Sequence, residues 1–255
     1  VRNQKQTPLM KQEKNMRYII ADIHGCYNEY INLLKKIKFT DKDTLYILGD
    51  VVDRGPEPIK ILQDMMKRKN VVRFIGNHEF MMYTILKKLT VEITAENCEN
   101  YLETDDILKY NQWIQNGGYN TAKQFSQLSQ NEKANILNYL RNSSIYETID
   151  YNNKEYILVH ADLGEYSPDK ALEDYELDEL IDHRADYSKR YFQNANKYLI
   201  TGHTPTLHIP DWEKAEVYEK NGHIAIDCGC VCGGRLAAYC IETGMATYVD
   251  GMKLK

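Results

Sequence analysis

One theme recurs five times along the chain and limits the folds open to it. A short run of Ile, Val, Leu and Tyr stops abruptly in Gly, Asp, Asn or His. The instances are R-Y-I-I-A-D-I-H-G (17–25), T-L-Y-I-L-G-D-V-V-D-R-G (44–55), V-V-R-F-I-G-N-H-E (71–79), Y-I-L-V-H-A-D-L (156–163) and Y-L-I-T-G-H-T (198–204). Continuous apolar runs this short read as strands buried on both faces. Between the first three, N-E-Y-I-N-L-L-K-K-I (28–37) and P-I-K-I-L-Q-D-M-M-K-R (58–68) carry apolar residues at helical spacing. The opening third of the chain therefore predicts β-α-β-α-β, and crossovers of that kind make the strands parallel.

Residues 80–150 read differently. They are polar and helix-like, broken at two glycines in W-I-Q-N-G-G (113–118), with Ser129 and Glu132 spaced as a capping box. This block predicts a helical insert over the site. The stretch 223–250 alternates strand and turn signals and predicts an antiparallel meander. Residues 1–15 are polar and without periodicity. They read as a disordered lead or a cloning remnant, with Met16 as a natural start and 16–255 as one domain.

Open α/β sheets place ligand sites at the carboxyl ends of their strands. Here every such end carries a donor: Asp22 with His24, Asp50, Asn77 with His78, His160, and His203. One His after a strand is ordinarily a satisfied turn residue; five strand ends with donors in succession point to a metal centre. Asp, Asn and imidazole suit Mn²⁺, Fe or Zn²⁺, and the absence of thiolates at these ends argues against a closed structural zinc site. Two cations close together need a shared carboxylate. Asp50, in the middle of the constellation, is the natural bridge. Arg54 beside it offers a planar fork for phosphate oxygens, His78 is placed to act as an acid, and Asp53 to orient it.

Composition narrows the surroundings of that site. The formal net charge is −5, which disfavours an extended nucleic-acid surface or an anionic membrane. No apolar run is long enough to cross a membrane, so a cytoplasmic protein is expected. The six cysteines, at 26, 98, 228, 230, 232 and 240, do not follow a zinc-knuckle spacing. They read as reduced thiols, with 228, 230 and 232 sharing one face if that segment is extended. Cys232 is a candidate oxidation-sensitive thiol. His183, His208 and His223 read as surface or turn residues.

The segments A-D-I-H-G (21–25), G-D-V-V-D-R-G (49–55) and G-N-H-E (76–79), followed by His160 and G-H-T-P (202–205), resemble the signature of metallophosphoesterases. More narrowly, they resemble the phosphoprotein phosphatases, in particular the bacterial and bacteriophage lambda-type serine/threonine phosphatases. The resemblance implies a four-layer α/β/β/α sandwich with two mixed sheets. It implies Asp22, His24 and Asp50 on one metal, and Asp50, Asn77, His160 and His203 on a second, with Mn²⁺ the expected ion. His78 would protonate the leaving oxygen, paired with Asp53. Arg54 and Arg184, the latter in L-I-D-H-R (180–184), would bind phosphate together with Asn77. The tail I-D-C-G-C-V-C-G-G-R-L (226–236) resembles a glycine-bearing loop near the active site. Three positions depart from the pattern: Ala21 and Asp162 stand where glycine is usual, and Val231 where eukaryotic members carry Tyr. Asp162 would add a carboxylate near the metals.

The implied reaction is direct hydrolysis by a hydroxide bridging two metals. The expected substrate is a phosphorylated protein or a small phosphomonoester, with no nucleic acid and no membrane as partner. The alternative is a symmetrical dinucleoside tetraphosphate hydrolase, which shares the metal motifs. The intact V-D-R-G and the phosphatase-like W-I-Q-N-G-G favour the protein phosphatase reading. A metal-binding module without catalysis is disfavoured because no residue of the signature is missing.

Overall fold

The computed structural model describes residues 15–92, 94 and 101–253. The expected lead therefore lies, apart from Asn15, outside the described residues, as does Cys98. Ten strands follow along the described chain: β1 (Arg17–Ile20), β2 (Thr44–Ile47), β3 (Val71–Arg73), β4 (Tyr146–Tyr151), β5 (Lys154–Val159), β6 (Lys197–Thr201), β7 (Tyr218–Lys220), β8 (His223–Ala225), β9 (Arg235–Cys240) and β10 (Met245–Asp250). The α-helices are α1 (Tyr27–Lys36), α2 (Pro58–Lys67), α3 (Asn77–Leu89), α4 (Thr104–Trp113), α5 (Tyr119–Ser126), α6 (Gln130–Arg141) and α7 (Leu177–Ile181).

Alternation along the strands builds the layers. In β1 and β2, Ile20, Leu45 and Ile47 pack under the helices, whereas Ile19 and Tyr46, with Leu48 just beyond β2, turn to the opposite face. There they meet Tyr156, Leu158, Ile200 and Ile224 of a second sheet. Side chains of period two supply both contacts, which is why the runs are apolar throughout. The first sheet has the order β10-β9-β1-β2-β3 and the second β4-β5-β6-β8-β7. β1, β2 and β3 are parallel, as expected, and so are β5, β6 and β8.

Helices α1 to α3 cover the first sheet, with Trp113, Phe125, Ile136 and Leu140 of the later helices joining the same core. The outer face of the second sheet, through Ile157, Val159 and Leu199, is covered by Leu180 and Ile181 of α7 with Tyr191 and Phe192. The four-layer α/β/β/α arrangement with two mixed sheets holds, one outer layer being a five-residue helix and loops. Ser129 and Glu132 form the expected capping box at α6.

Two local expectations fail for identifiable reasons. The stretch 80–150 ends in a strand, since Y-E-T-I-D-Y pairs with β5 through a tight turn at Asn152 and Asn153, both with positive φ. The tail is no meander. β8 lies in the second sheet while β9 and β10 form a hairpin in the first. Between them the chain turns at Gly229 (φ 72) and Gly233 (φ 82), so the C-x-C-x-C run is not extended and its last three residues, Cys230–Cys232, form a 3₁₀ turn. Cys228 and Cys230 are buried and Cys232 is exposed, all as free thiols, rather than three thiols on one face.

Candidate active site

The carboxyl ends of β1, β2 and β3 meet those of β5 and β6, so both sheets deliver side chains to one cleft. Backbone bonds tie the loops together: His24 N–H donates to the Asp50 carbonyl (2.9 Å) and Gly202 N–H to that of His160 (2.8 Å). Asp22, His24, Asp50, Asp53, Arg54 and His203 all adopt left-handed φ angles between 43° and 67°. Each such residue with a Cβ costs about 1–2 kcal/mol. Clustering of that strain in six site residues is what a site overdetermined by its surroundings produces.

Asp50 lies at the centre. His24 Nε2 stands 3.5 Å from its Oδ2, and His160 Nε2 stands 3.5 Å from its Oδ1. Each ring spends Nδ1–H on a carbonyl, His24 on Val52 (2.9 Å) and His160 on Leu48 (2.6 Å), leaving Nε2 as the basic nitrogen. Burial pushes His24 and His203 down to about 3, so both are neutral imidazoles. Burial opposes ionisation of Asp50, yet His160, His78 and His24 around it hold the carboxyl well below its ordinary value.

Two groups of donors, His24–Asp50–His78 and Asp50–His160–His203, are close enough to hold one cation each, and they share Asp50. Two further features fit a metal. His203 Nε2 is buried without a hydrogen-bond partner. His160 Nε2 faces Asn77 Oδ1 at 3.2 Å, and with Nδ1–H already spent on Leu48 this is acceptor against acceptor, which a cation relieves. The donor set of neutral imidazoles, an amide oxygen and an ionised carboxylate suits a pair of divalent ions. Asp22 stands apart from both groups. Its two oxygens accept the His203 N–H at 2.9 and 3.1 Å.

A second set of groups surrounds this centre. His78 Nδ1 donates to Asp53 Oδ2 at 2.7 Å. Burial lowers the His78 pKa, but the Asp50 and Asp53 carboxylates outweigh it and raise the ring above its ordinary value. The Arg54 fork reaches His24 Nε2 (2.8 Å) and His78 Nε2 (2.9 Å). Arg184 donates to Thr204 Oγ1 at 3.2 Å. Both arginines line one cleft of about 650 Å³ together with Asp50, Asn77, His78 and His203. Eight of the ten expected site residues thus gather directly around Asp50 or the cleft; Asp53 joins them through His78 and Asp22 through His203.

Sequence reasoning missed several groups. Glu79 is buried and accepts N–H bonds from Asp50 (2.7 Å), Val51 (2.8 Å), Val52 (3.1 Å) and Gly76 (3.0 Å). It pins the loop after β2 to the start of α3, and the only signal was its place in G-N-H-E. Asp227 is buried beside Asp22; burial and the Asp50 charge push it to about 7, against the Gly229 N–H that stabilises its anion. Asp162 does not join the metal residues. Its Oδ2 meets His183 Nδ1 at 3.1 Å, in a separate cavity with Lys189 and Arg190. His223 is fully buried in β8, with Nε2 against Thr201 Oγ1 at 2.8 Å, and not a turn residue. Val231 packs into the helical core.

Comparison with known proteins agrees with this site. A bis(5'-nucleosyl)-tetraphosphatase of Bacillus subtilis, PrpE, named asymmetrical, is 29% identical over 251 residues, covering 87% of this chain and 88% of that protein. A symmetrical bis(5'-nucleosyl)-tetraphosphatase of Erwinia tasmaniensis is 33% identical over 99 residues, which is 38% of this chain and 36% of that one. Among solved structures, one described as a candidate diadenosine tetraphosphatase superposes with a TM-score of 0.65 at 20% identity, covering 95% and 96% of the two chains. A protein serine/threonine phosphatase from Saccharomyces cerevisiae gives 0.54 at 15% identity, covering 96% of this chain and 82% of that one. The family described as calcineurin-like phosphoesterase matches residues 18–207. That span holds all five strand ends and all ten site residues expected from the sequence, and this chain is a member of the calcineurin-like phosphoesterase family.

Proposed function

We propose that this metal-dependent phosphoesterase hydrolyses dinucleoside tetraphosphates, cutting asymmetrically to a nucleoside triphosphate and a nucleoside monophosphate. The observation that carries the reading is its similarity to a bis(5'-nucleosyl)-tetraphosphatase over 87% of this chain and 88% of that protein. This favours a dinucleoside tetraphosphate hydrolase over the protein phosphatase, with an asymmetric cut in place of the symmetrical one expected as the alternative. The cleft supports it: beyond Arg54 and Arg184 its walls carry Phe80, Met81 and Leu177, apolar surface beside a phosphate-gripping centre. A polyphosphate flanked by two nucleosides needs both, because charge holds the phosphates and flat apolar surface holds a base.

In this reading Asp22, His24, Asp50, Asn77, His160 and His203 hold two divalent cations, with Mn²⁺ the preferred ion. When bound, the ions supply charge neutralisation and a water of lowered pKa. The chain's own residues do the rest. Arg54 and Arg184 grip non-bridging oxygens and orient the phosphorus. His78, aimed by Asp53, delivers a proton through Nε2 to the departing oxygen. Glu79 keeps the Asp50–Val52 backbone fixed while this happens.

The test compares diadenosine tetraphosphate with a phosphoserine peptide after chelator treatment and Mn²⁺ addition. We expect kcat/KM to favour the dinucleotide by at least about tenfold, or ~1.4 kcal/mol, with ATP and AMP resolved by ion-exchange chromatography. Preference for the peptide overturns the reading, and a pair of ADP products replaces the asymmetric cut with a symmetric one.

A further inference from the structure

The residues that aim Asp53 come from a distant part of the chain. Both of its carboxylate oxygens are occupied. Oδ2 accepts His78 Nδ1–H and also Trp113 Nε1–H at 2.8 Å, while Oδ1 accepts the Thr121 hydroxyl at 2.7 Å. Thr121 Oγ1 in turn accepts the Asp53 N–H at 2.9 Å. Asp53, Trp113 and Thr121 are each fully buried. Neither donor lines the cleft.

Trp113 ends α4 and Thr121 lies in the first turn of α5. In one continuous helix, residues eight apart sit about 12 Å apart along the axis, too far for both to reach a single carboxylate. The break between the two helices removes that separation. Gly117 has φ 104, a conformation that disfavours any side chain, and a Cβ on Gly118 would lie 2.6 Å from the Trp113 indole. The same break gives the Gly117 carbonyl to the Arg54 N–H at 2.9 Å. Further along α5, Asn120 Nδ2 donates to the Gly55 carbonyl (3.0 Å) and Gln124 Nε2 to that of Pro56 (2.6 Å). Every residue from Asp53 to Pro56 is thus held by the α4–α5 unit.

We infer that Trp113 and Thr121 are positioning residues for the proton donor, acting through Asp53, and that the break at 114–118 exists to bring them together. The inference rests on His78 as proton donor and is independent of the substrate proposed above. A carboxylate fixed from three sides cannot rotate away from His78, so the ring keeps its tautomer and its aim. W-I-Q-N-G-G therefore serves the chemistry and not the choice of substrate.

Trp113→Phe keeps the ring and removes the N–H; Thr121→Val keeps the shape and removes the hydroxyl. With the Mn²⁺-loaded enzyme, each should lower kcat about 10- to 100-fold on phenyl phosphate, less on p-nitrophenyl phosphate, whose leaving group needs no proton, with KM little changed. Thr121→Ser should restore activity. In an Asp53→Asn background neither substitution should cost more, since the carboxylate they aim is already gone. A readout free of turnover uses the two tryptophans of the chain. Asp53→Asn should move the Trp113 indole N–H resonance and leave that of Trp212 in place. Equal losses in both backgrounds, or an unmoved Trp113 resonance, overturns the inference, and the resonance decides the matter even if the aryl phosphates prove poor substrates.

Discussion

The two sheets end at the same cleft, yet they hold their functional groups in different ways. On the side of the first sheet, each group is tied by several bonds. Asp53 accepts from His78, Trp113 and Thr121, and Glu79 accepts four backbone N–H groups. On the side of the second sheet, Arg184 bonds Thr204 at 3.2 Å and is exposed, while the side chain of the neighbouring His183 is 47% exposed and meets Asp162. Groups that move protons need fixed geometry, because efficiency falls steeply with small misplacement. Groups that receive a long polyphosphate need reach. On the reading proposed above, the contrast sets the proton-moving groups of the first side against Arg184 on the second, while His160 and His203 at the ends of the second sheet's strands stay fixed with the metal site.

The sharpest way to break that division is to remove the proton donor. His78→Asn should lower kcat on phenyl phosphate on the order of 10²–10⁴-fold. On diadenosine tetraphosphate the loss should be smaller, since a departing terminal phosphate with a pKa of about 6 gains less from the His78 proton than phenoxide does. Parallel steady-state measurements on the two substrates decide it; equal losses would mean that His78 acts on binding or on the metals and not on the leaving oxygen.

The opposite side should respond in KM. Arg184→Ala removes a charge-assisted contact of about 1.5–3 kcal/mol, so KM for diadenosine tetraphosphate should rise roughly 10- to 150-fold with kcat nearly unchanged. Arg54→Ala should reduce both, because Arg54 also touches His24 and His78. A kcat loss for Arg184→Ala as large as that for Arg54→Ala would erase the distinction between the two sides.

Much of the first side was legible in the sequence, for a physical reason. A ligand at a strand end leaves a local trace, an apolar run stopped by Asp, His or Gly, and five traces in succession reinforce one another. What holds the ligands leaves none. Trp113 meets Asp53 across 60 positions and Thr121 across 68, and only the break in the helices reveals that they converge. Asp162 was legible as an extra acid but its direction was not, since the residue after a strand end can turn to either side. β8 is three residues long, too short for alternation to distinguish a buried His223 from a turn histidine. The tail failed as a meander because strand signals state where chain is extended and not which sheet receives it.

His223 gives the second sheet a measurable pH response, smaller than the catalytic effects. Its ring stacks on Tyr187 at 4.9 Å, edges Tyr191, and so joins β8 to the segment that follows Arg184. Burial pushes its pKa down to about 3, while in the unfolded chain it titrates near 6.5. Between those values the unfolded state binds a proton that the folded state refuses. Stability is therefore retained above pH 6.5 and falls as pH drops below it, by about 1.4 kcal/mol per pH unit for this group. His223→Gln keeps a donor for Thr201 and cannot take up the proton. At pH 7.5 the variant should match the parent or fall slightly below it. At pH 5.5, with the same metal present, it should have regained about 1.4 kcal/mol relative to the parent. Urea unfolding at the two pH values measures the difference, and subtraction cancels the contribution of His24, His160 and His203, which both proteins share. Parallel pH profiles would mean that the pocket around His223 admits a proton, and the second side would then be looser at its base as well as at its rim.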